Sequence, residues 1–539
     1  MRLKSSLSSQ SARFQEQRTE MLDALAELRR LEALVRAESE GNRPKFESRG
    51  QLLPRERLAL LLDRGRPFLE LSTLAGLGMH DDDGVRRLQG GGSIMGLGWV
   101  SGTRVVVYAH DAAIKGGAIS PMGLKKVLRA QELALKQRLP MINLVESAGA
   151  NLNYQAELFV EGGRAFANQA RLSAAGLPQI TVVYGSSTAG GAYVPGLSDY
   201  VIMVKDRAKV FLAGPPLVQA ATGERSTDEE LGGASMHATV TGLNELYAHD
   251  DREATLLARA QLKALSWRPR ALYELSEERP PRYSTDELCG ATPLDYRKPY
   301  HPHELIARLV DDSELLEFKP SYGADMVVGW AELYGQRVGV IGNHGPIFPE
   351  GATKAAQFIE LCCQSQTPLI FLQNTTGFMV GRAVEAAGSV RCGARMIKAV
   401  ATAQVPKLTL LVGGAFGAGH YAMCGRAYDP DFIFAWPSNR LAVMGGQQAG
   451  EVYRLISTEK IKQRGGEISP HVEAELKAIS GRITEQIERE SHALYATARL
   501  WDDGVIDPRD SRRVLGEALM ICLSARGTDT QPLTFGVTR

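Results

Sequence analysis

The sequence has 539 residues, 44% hydrophobic and 23% charged, with 62 Lys and Arg against 61 Asp and Glu for a net charge of +1. That length allows two or three domains with complete cores, and the even charge balance argues against a nucleic-acid or membrane-surface partner. No run of about 18 apolar residues predicts a transmembrane helix, and the opening MRLKSSLSSQSARFQEQRTEM lacks the apolar centre of a secretory signal. Residues 12–40 carry apolar positions at helical spacing, Met21, Leu22, Leu25, Leu28, Leu31 and Leu34, and predict an amphipathic helix. A short helix is expected over 53–62, with Pro54 in its first turn. From Gly90 onward, short apolar runs at 105–108, 141–145, 180–184 and 201–204 alternate with Gly-rich turns and helical stretches. This alternation predicts an α/β domain. The Pro-, Tyr- and charge-rich stretch 269–302 reads as a surface connection between domains. The α/β texture resumes at 338–341, 369–372 and 408–412, and residues 450–525 are mostly helical and charged. The six cysteines form no C-x-x-C pair, which argues against a zinc ribbon and fits thiols in a reducing, cytoplasmic compartment.

An internal repeat organises the chain. PMINLVESAGA at Pro140 matches PLIFLQNTTGF at Pro368, an offset of 228. LPQITVVYGSSTAGGAY at Leu177 matches VPKLTLLVGGAFGAGHY at Val405 at the same offset, so Gly149 falls on Gly377, Gly191 on Gly419 and Tyr193 on Tyr421. SDYVIMV at Ser198 then meets PDFIFAW at Pro430, an offset of 232. Three matches in order predict two homologous α/β domains, 40–285 and 290–539, after a helical segment 1–39.

Each copy has a strand that runs into a Gly-rich turn and then a helix. Glycine lets the chain turn sharply and lets a ligand approach the main chain. The first N–H groups of a helix are unsatisfied donors. Two of them aimed at one point make an oxyanion hole, which stabilises charge developing on a carbonyl oxygen. Close helix–strand packing explains one such turn more readily than a matched pair. Two other motifs fall short. GSSTA at Gly185 lacks the final Gly of a G-x-S-x-G nucleophile elbow, and its repeat partner GGAFG has no Ser. GAGHYA at Gly417 fits G-x-G-x-x-A, but no acidic residue sits at a strand end about 20 positions on, which argues against dinucleotide binding.

These segments resemble the carboxyltransferase subunits of biotin-dependent acyl-CoA carboxylases. The resemblance runs from GQLLPRERLALLLDRGRPFLELS at Gly50 through FLAGPPLVQAATGE at Phe211, ELGGASMH at Glu230, NTTGFMVG at Asn374 and AMCGRAYDPDFIFAWPSNRLAVMGG at Ala422 to ARLWDDGVIDPRDSRRVL at Ala498. It implies an α/β fold of two duplicated crotonase-like domains, each a ββα superhelix, with acyl-CoA on the N-terminal one and biotin on the C-terminal one. It further implies a homo-oligomer, a β6 core of an α6β6 assembly, whose active sites are shared between chains. The sequence carries no A-M-K-M biotinylation site and no ATP-grasp domain, so biotin is expected on a partner α subunit with biotin carboxylase and biotin carrier domains.

By the same resemblance, the N–H groups of Gly190 and Gly191 hold the thioester oxygen of the CoA substrate as it becomes an enolate. Those of Ala418 and Gly419, the same two positions at offset 228, hold the biotin ureido oxygen. In the family's mechanism carboxybiotin releases CO2 and the ureido anion takes the substrate proton, so no side-chain base is required. Lys115-Gly116-Gly117 is similar to the loop that contacts CoA, with Lys115 either meeting a CoA phosphate or simply solvated. Ser147-Ala148-Gly149-Ala150 differs from the family's S-G-G-A by one methyl group and still lets CoA lie against the backbone. Phe378 is expected beside biotin or in the core. His420 replaces an Asn or Tyr and is assigned no catalytic role, and no metal site is expected.

NLVESAGANL, FLAGPPLVQAATGE and LWDDGVIDP resemble the branch that carboxylates the γ carbon of β-methyl, α,β-unsaturated acyl-CoAs. After Leu152 the chain reads NYQAELFVEGGRAFANQARLSAAG, which is about three residues shorter than the loop of methylcrotonyl enzymes, with Gly162-Gly163 where they carry Phe-Gly. Losing a Phe ring vacates space for several carbons. With MHDDDG at Met79, which is similar to geranyl-type sequences, this favours geranyl-CoA over 3-methylcrotonyl-CoA. The alternatives are a rerouted surface loop with no effect on substrate, and a related decarboxylase that runs the transfer in reverse.

Overall fold

The apolar runs that alternate with turns form two β-sheets, of eight and seven strands among the described residues, in the computed structural model of the chain. Residues 83–88, 268, 270, 277, 278, 538 and 539 lie outside the described part, so MHDDDG is described only as far as Asp82. Each sheet belongs to its own compact unit. The first unit comprises Arg29–Tyr273, Ala498–Leu500 and the segment from Met520 onward; the second comprises Met1–Leu28, Glu274–Thr497 and Trp501–Leu519. These differ at both ends from a division at 39 and 290. The helix Ala12–Glu40 has the same apolar spacing throughout, with Met21, Leu25, Leu28 and Leu31 all buried, so periodicity alone does not reveal which unit each part belongs to.

In the first unit the strands Ser93–Val100 (β1) and Thr103–His110 (β2) form an antiparallel hairpin, and Met141–Ser147 (β3), Gln179–Thr188 (β4) and Tyr200–Val204 (β5) follow in parallel order. The second unit repeats this with Met326–Leu333 (β6), Gln336–Asn343 (β7), Leu369–Thr375 (β8), Lys407–Phe416 (β9) and Phe432–Ala435 (β10). The parallel strands are buried on both faces, hence their unbroken apolar runs. Register is duplicated along with sequence. Met141 pairs Gln179 and Leu369 pairs Lys407, and both ladders slip at one place, after Val145 and after Gln373.

The hairpins match as well. Each has a two-residue turn with positive φ at both positions, Ser101 (50°) and Gly102 (76°) in one, Tyr334 (52°) and Gly335 (75°) in the other, as a twist-matched hairpin needs. Asp63 accepts from the N–H groups of Ser101 (2.9 Å) and Gly102 (2.7 Å) and from Arg259 (2.8 Å). Asp311 does the same for Tyr334 (2.9 Å), Gly335 (2.7 Å) and Arg512 (2.8 Å). The helices before these carboxylates, Pro54–Leu61 and Pro302–Leu309, are thus a further pair of repeat segments.

Between the strands lie Pro121–Lys136 (α1) and Gln155–Ala174 (α2) in the first unit, and Pro349–Gln364 (α3) and Ser389–Thr402 (α4) in the second. Lys126 of α1 is buried and donates to the carbonyls of Ser93 (2.6 Å) and Gly90 (2.9 Å). Lys354 of α3 is buried likewise and donates to Met326 (2.8 Å). A buried ammonium is tolerable only when its donors are taken, and duplication has kept the carbonyls that take them. The segment around Gly162-Gly163, read from sequence as a shortened loop, is the middle of the 20-residue helix α2. Leu158, Ala165 and Leu172 recur at helical spacing and are buried, which outweighs the roughly 1 kcal/mol that each Gly costs a helix. Among the described residues no helix is long and apolar enough to cross a membrane.

Candidate functional site

In the first unit β4 ends at Thr188, and Ala189–Ala192 makes a 3-10 turn that leads into the helix Tyr193–Gly196. The buried Ser187 hydroxyl donates to the Gly191 carbonyl at 2.9 Å and pins the turn. The leading N–H groups of such a turn have no acceptor one turn back; Gly190 holds such a position and Gly191 follows it. Both line a cavity of about 320 Å³ between the sheet and the helices α1 and α2. Ala148, Gly149, Ala150 and Gly162 line the same cavity.

The remaining residues proposed for acyl-CoA cluster beside it. The Ala148 N–H donates to the Gly116 carbonyl (3.1 Å). Ser147 Oγ donates to the Gly117 carbonyl (2.8 Å) and accepts from the Gly149 N–H (3.1 Å). Gly117, at φ +72°, is in the left-handed region, and a Cβ there would run into the Glu146 carbonyl. Lys115 is not simply solvated, for its ammonium pairs with Asp81. That carboxylate also accepts from Tyr154 Oη (2.5 Å), and both partners, Lys115 first, hold its pKa below the usual range. Gly163 stands apart from the cavity lining.

The second unit carries the same arrangement. β9 runs into the helix Gly417–Ala422, with Ala418 and Gly419 in its first turn. The Gly377 N–H donates to Thr375 Oγ1 at 3.1 Å, and the Ile347 N–H to the Gly377 carbonyl at 2.9 Å. These bonds repeat those of Gly149 with Ser147 and of Ile119 with Gly149, the latter also 2.9 Å. Phe378 occupies the place of Ala150; its half-buried ring packs toward α4, where a Cβ at Gly393 would meet it at 3.1 Å. His420 is buried, and burial lowers its pKa to about 4. Neutral, it faces Gln373 Oε1 from Nδ1 at 3.2 Å, a structural contact. Peptide donors in this turn suit an uncharged oxygen that gains negative charge.

Sequence reasoning missed the rest of the first cavity. Tyr108, His110 and Asn143 come from strand positions, and Gln131 and Phe166 from helix positions. Asn143 opens NLVESAGANL and Phe166 lies in the segment after Leu152, but neither was singled out there, and Tyr108, His110 and Gln131 sit in no motif. They are polar or aromatic residues inside apolar periodic segments, where pattern alone assigns them to the core.

Residues 45–533 match the family model described as Carboxyl transferase domain. The chain is similar to a probable methylcrotonoyl-CoA carboxylase beta chain of Drosophila melanogaster, 46% identical over 557 residues that cover 100% of this chain and 95% of the relative. It is similar to a biotin-dependent 3-methylcrotonyl-coenzyme A carboxylase beta1 subunit of Mycobacterium tuberculosis, 47% identical over 92% of this chain and 93% of that one. Among solved structures, the crystal structure of the P. aeruginosa geranyl-CoA carboxylase beta subunit is 52% identical, covers 100% of both chains and superimposes with a TM-score of 0.92.

Proposed function

Since the chain belongs to the carboxyl transferase domain family, we propose that it is the carboxyltransferase (β) subunit of a biotin-dependent acyl-CoA carboxylase and that it carboxylates the γ carbon of geranyl-CoA. The observation that carries the substrate is the cavity beside Gly190 and Gly191. It continues past Ala148–Ala150 to Gly162, where a Cβ would meet nothing within 4 Å. Where methylcrotonyl enzymes carry a Phe, this chain has open space suited to a second isoprene unit.

In this reading the Gly190 and Gly191 N–H groups hold the thioester oxygen and stabilise its charge as the substrate loses a γ proton. Gly116, Gly117 and Ser147–Ala150 keep CoA against the main chain. Biotin, carried on a partner α subunit, supplies the CO2 and the basic nitrogen. The Ala418 and Gly419 N–H groups hold its ureido oxygen, and Phe378 borders that place. Gly162 belongs to the tail side and faces the acyl group, whereas Gly163 lies outside the cavity lining and makes no substrate contact in this reading. The active protein is a β6 oligomer that pairs the acyl-CoA half of one chain with the biotin half of another. Methylcrotonyl-CoA is the second reading, favoured by relatives of that name at 46–47% identity.

The test is Gly162→Phe in the holoenzyme reconstituted with its α subunit. A ring in the cavity excludes the distal isoprene but not the shorter acyl group. The ratio of kcat/KM for geranyl-CoA over 3-methylcrotonyl-CoA is expected to fall by at least about tenfold. Equal loss on both substrates contradicts the tail assignment.

A further inference from the structure

The cavity beside Gly190 and Gly191 has apolar walls and two polar atoms that its hydrocarbon reading does not use. Gln131, on α1, is 3% exposed, and its amide Nε2 donates to the Ala165 carbonyl at 2.9 Å. That bond assigns the amide's orientation and leaves Oε1 as an acceptor, buried and with no partner in the protein. His110, the last residue of β2, is 6% exposed, and its Nδ1 is likewise buried without a partner. Burial lowers its pKa to about 4, while a hydrogen bond with the Leu144 carbonyl acts the other way. A neutral imidazole has one N–H. We assign that N–H to Nε2, since the Leu144 carbonyl acts on the ring and Nδ1 has no partner, which leaves a lone pair on Nδ1. Both side chains line the cavity.

Two buried acceptors stripped of water are costly unless a donor reaches them. A wholly hydrocarbon tail brings none. We propose that the cavity takes a branched acyl-CoA whose tail bears a hydroxyl, which donates to Gln131 Oε1 or His110 Nδ1. One water completes the set by donating to the other acceptor and to the hydroxyl oxygen. This inference rests on the reading of the cavity as the acyl site. The competing occupant is a water alone, trapped beneath a plain prenyl tail.

The experiment compares geranyl-CoA with the same thioester hydroxylated at its terminal methyl, using the reconstituted holoenzyme. The wild type is expected to favour the hydroxylated substrate about tenfold in kcat/KM, the worth of one good buried hydrogen bond. Gln131→Met, close in volume but without the amide oxygen, is expected to bring that ratio down toward one. The wild-type ratio needs no variant, so a poorly folding mutant does not remove the test. A wild-type ratio of one or less overturns the inference, assigns the acceptors to water and leaves the proposed function standing. Carboxylation of 3-methylcrotonyl-CoA but of neither ten-carbon thioester overturns both.

Discussion

A Cβ added at Gly419 would lie 2.9 Å from both Gly377 Cα and Thr375 Oγ1, whereas one added at Gly191 meets nothing nearer than Ser187 Oγ at 3.6 Å. The two proposed oxyanion turns are therefore equivalent in sequence and different in tolerance. Gly191→Val is expected to fold with an unchanged Tm and to lose transfer about 100–1000-fold, because its side chain enters cavity space that the substrate needs. Gly419→Val is expected to lose transfer and also to lower Tm, because its backbone must move. Calorimetry and turnover on both variants check this, and near-normal turnover in folded Gly191→Val discards the assignment. A second residue reports through pH. Asp502 of the WDDGVIDP segment is fully buried, and burial raises its pKa to about 7 against the pull of Thr497 and Arg426. A folded-state pKa above the unfolded 3.8 means the folded state keeps a proton that the unfolded state gives up, so this carboxyl costs stability as pH rises from about 4 to about 7. His110 and His420, lowered to about 4, act oppositely over about 4 to 6.5. Comparing Asp502→Asn with wild type cancels the histidines. The variant's gain in Tm is expected to be larger at pH 8 than at pH 5, and a gain independent of pH contradicts the shift. WDDGVIDP was legible as a specific motif, but the burial that sets its chemistry is a property of the fold.

At the scale of elements, the strand-and-turn segments were legible because each parallel strand is a short apolar run bounded by glycine, and the two copies retain both features at offset 228. The slip after Val145 and Gln373 and the Asp63 and Asp311 turn clamps were not legible. The slip lies at offset 228 but is a matter of hydrogen-bond register that no residue type marks, and the clamps depend on single polar residues in segments that have drifted to other offsets, Pro54 against Pro302 and Ser93 against Met326. The helix α2 was read as a loop from its resemblance to a loop of methylcrotonyl enzymes, whereas burial of its apolar face holds it helical despite Gly162-Gly163. That helix separates two roles. A Cβ at Gly163 meets nothing within 4 Å, and this residue is not among those lining the cavity. Gly163→Ala is accordingly expected to raise stability by about 0.5–1 kcal/mol and to leave the ratio of kcat/KM between substrates unchanged, by denaturant unfolding and kinetics. A changed ratio would move the tail contact from Gly162 to its neighbour.

At the scale of the molecule, the proposed reading gives each compact unit one turn of peptide donors, so that in it neither unit alone holds both of the anions that carboxyl transfer develops. The proposed remedy is a pairing of chains, and light scattering on the purified protein is expected to give a homo-oligomer, a hexamer in this reading. A stable monomer that is fully active with its α subunit contradicts it. The family was legible in the sequence because long motifs survive in the strands and turns that build both sites. The substrate was less so, since it rests on what is missing at Gly162 and on acceptors at His110 and Gln131 that only the fold brings to one cavity. The measurement that bears most directly on the account is kcat/KM of the reconstituted wild-type holoenzyme for geranyl-CoA and for 3-methylcrotonyl-CoA under the same conditions. The account predicts a ratio above one in favour of geranyl-CoA, and a ratio below one contradicts it.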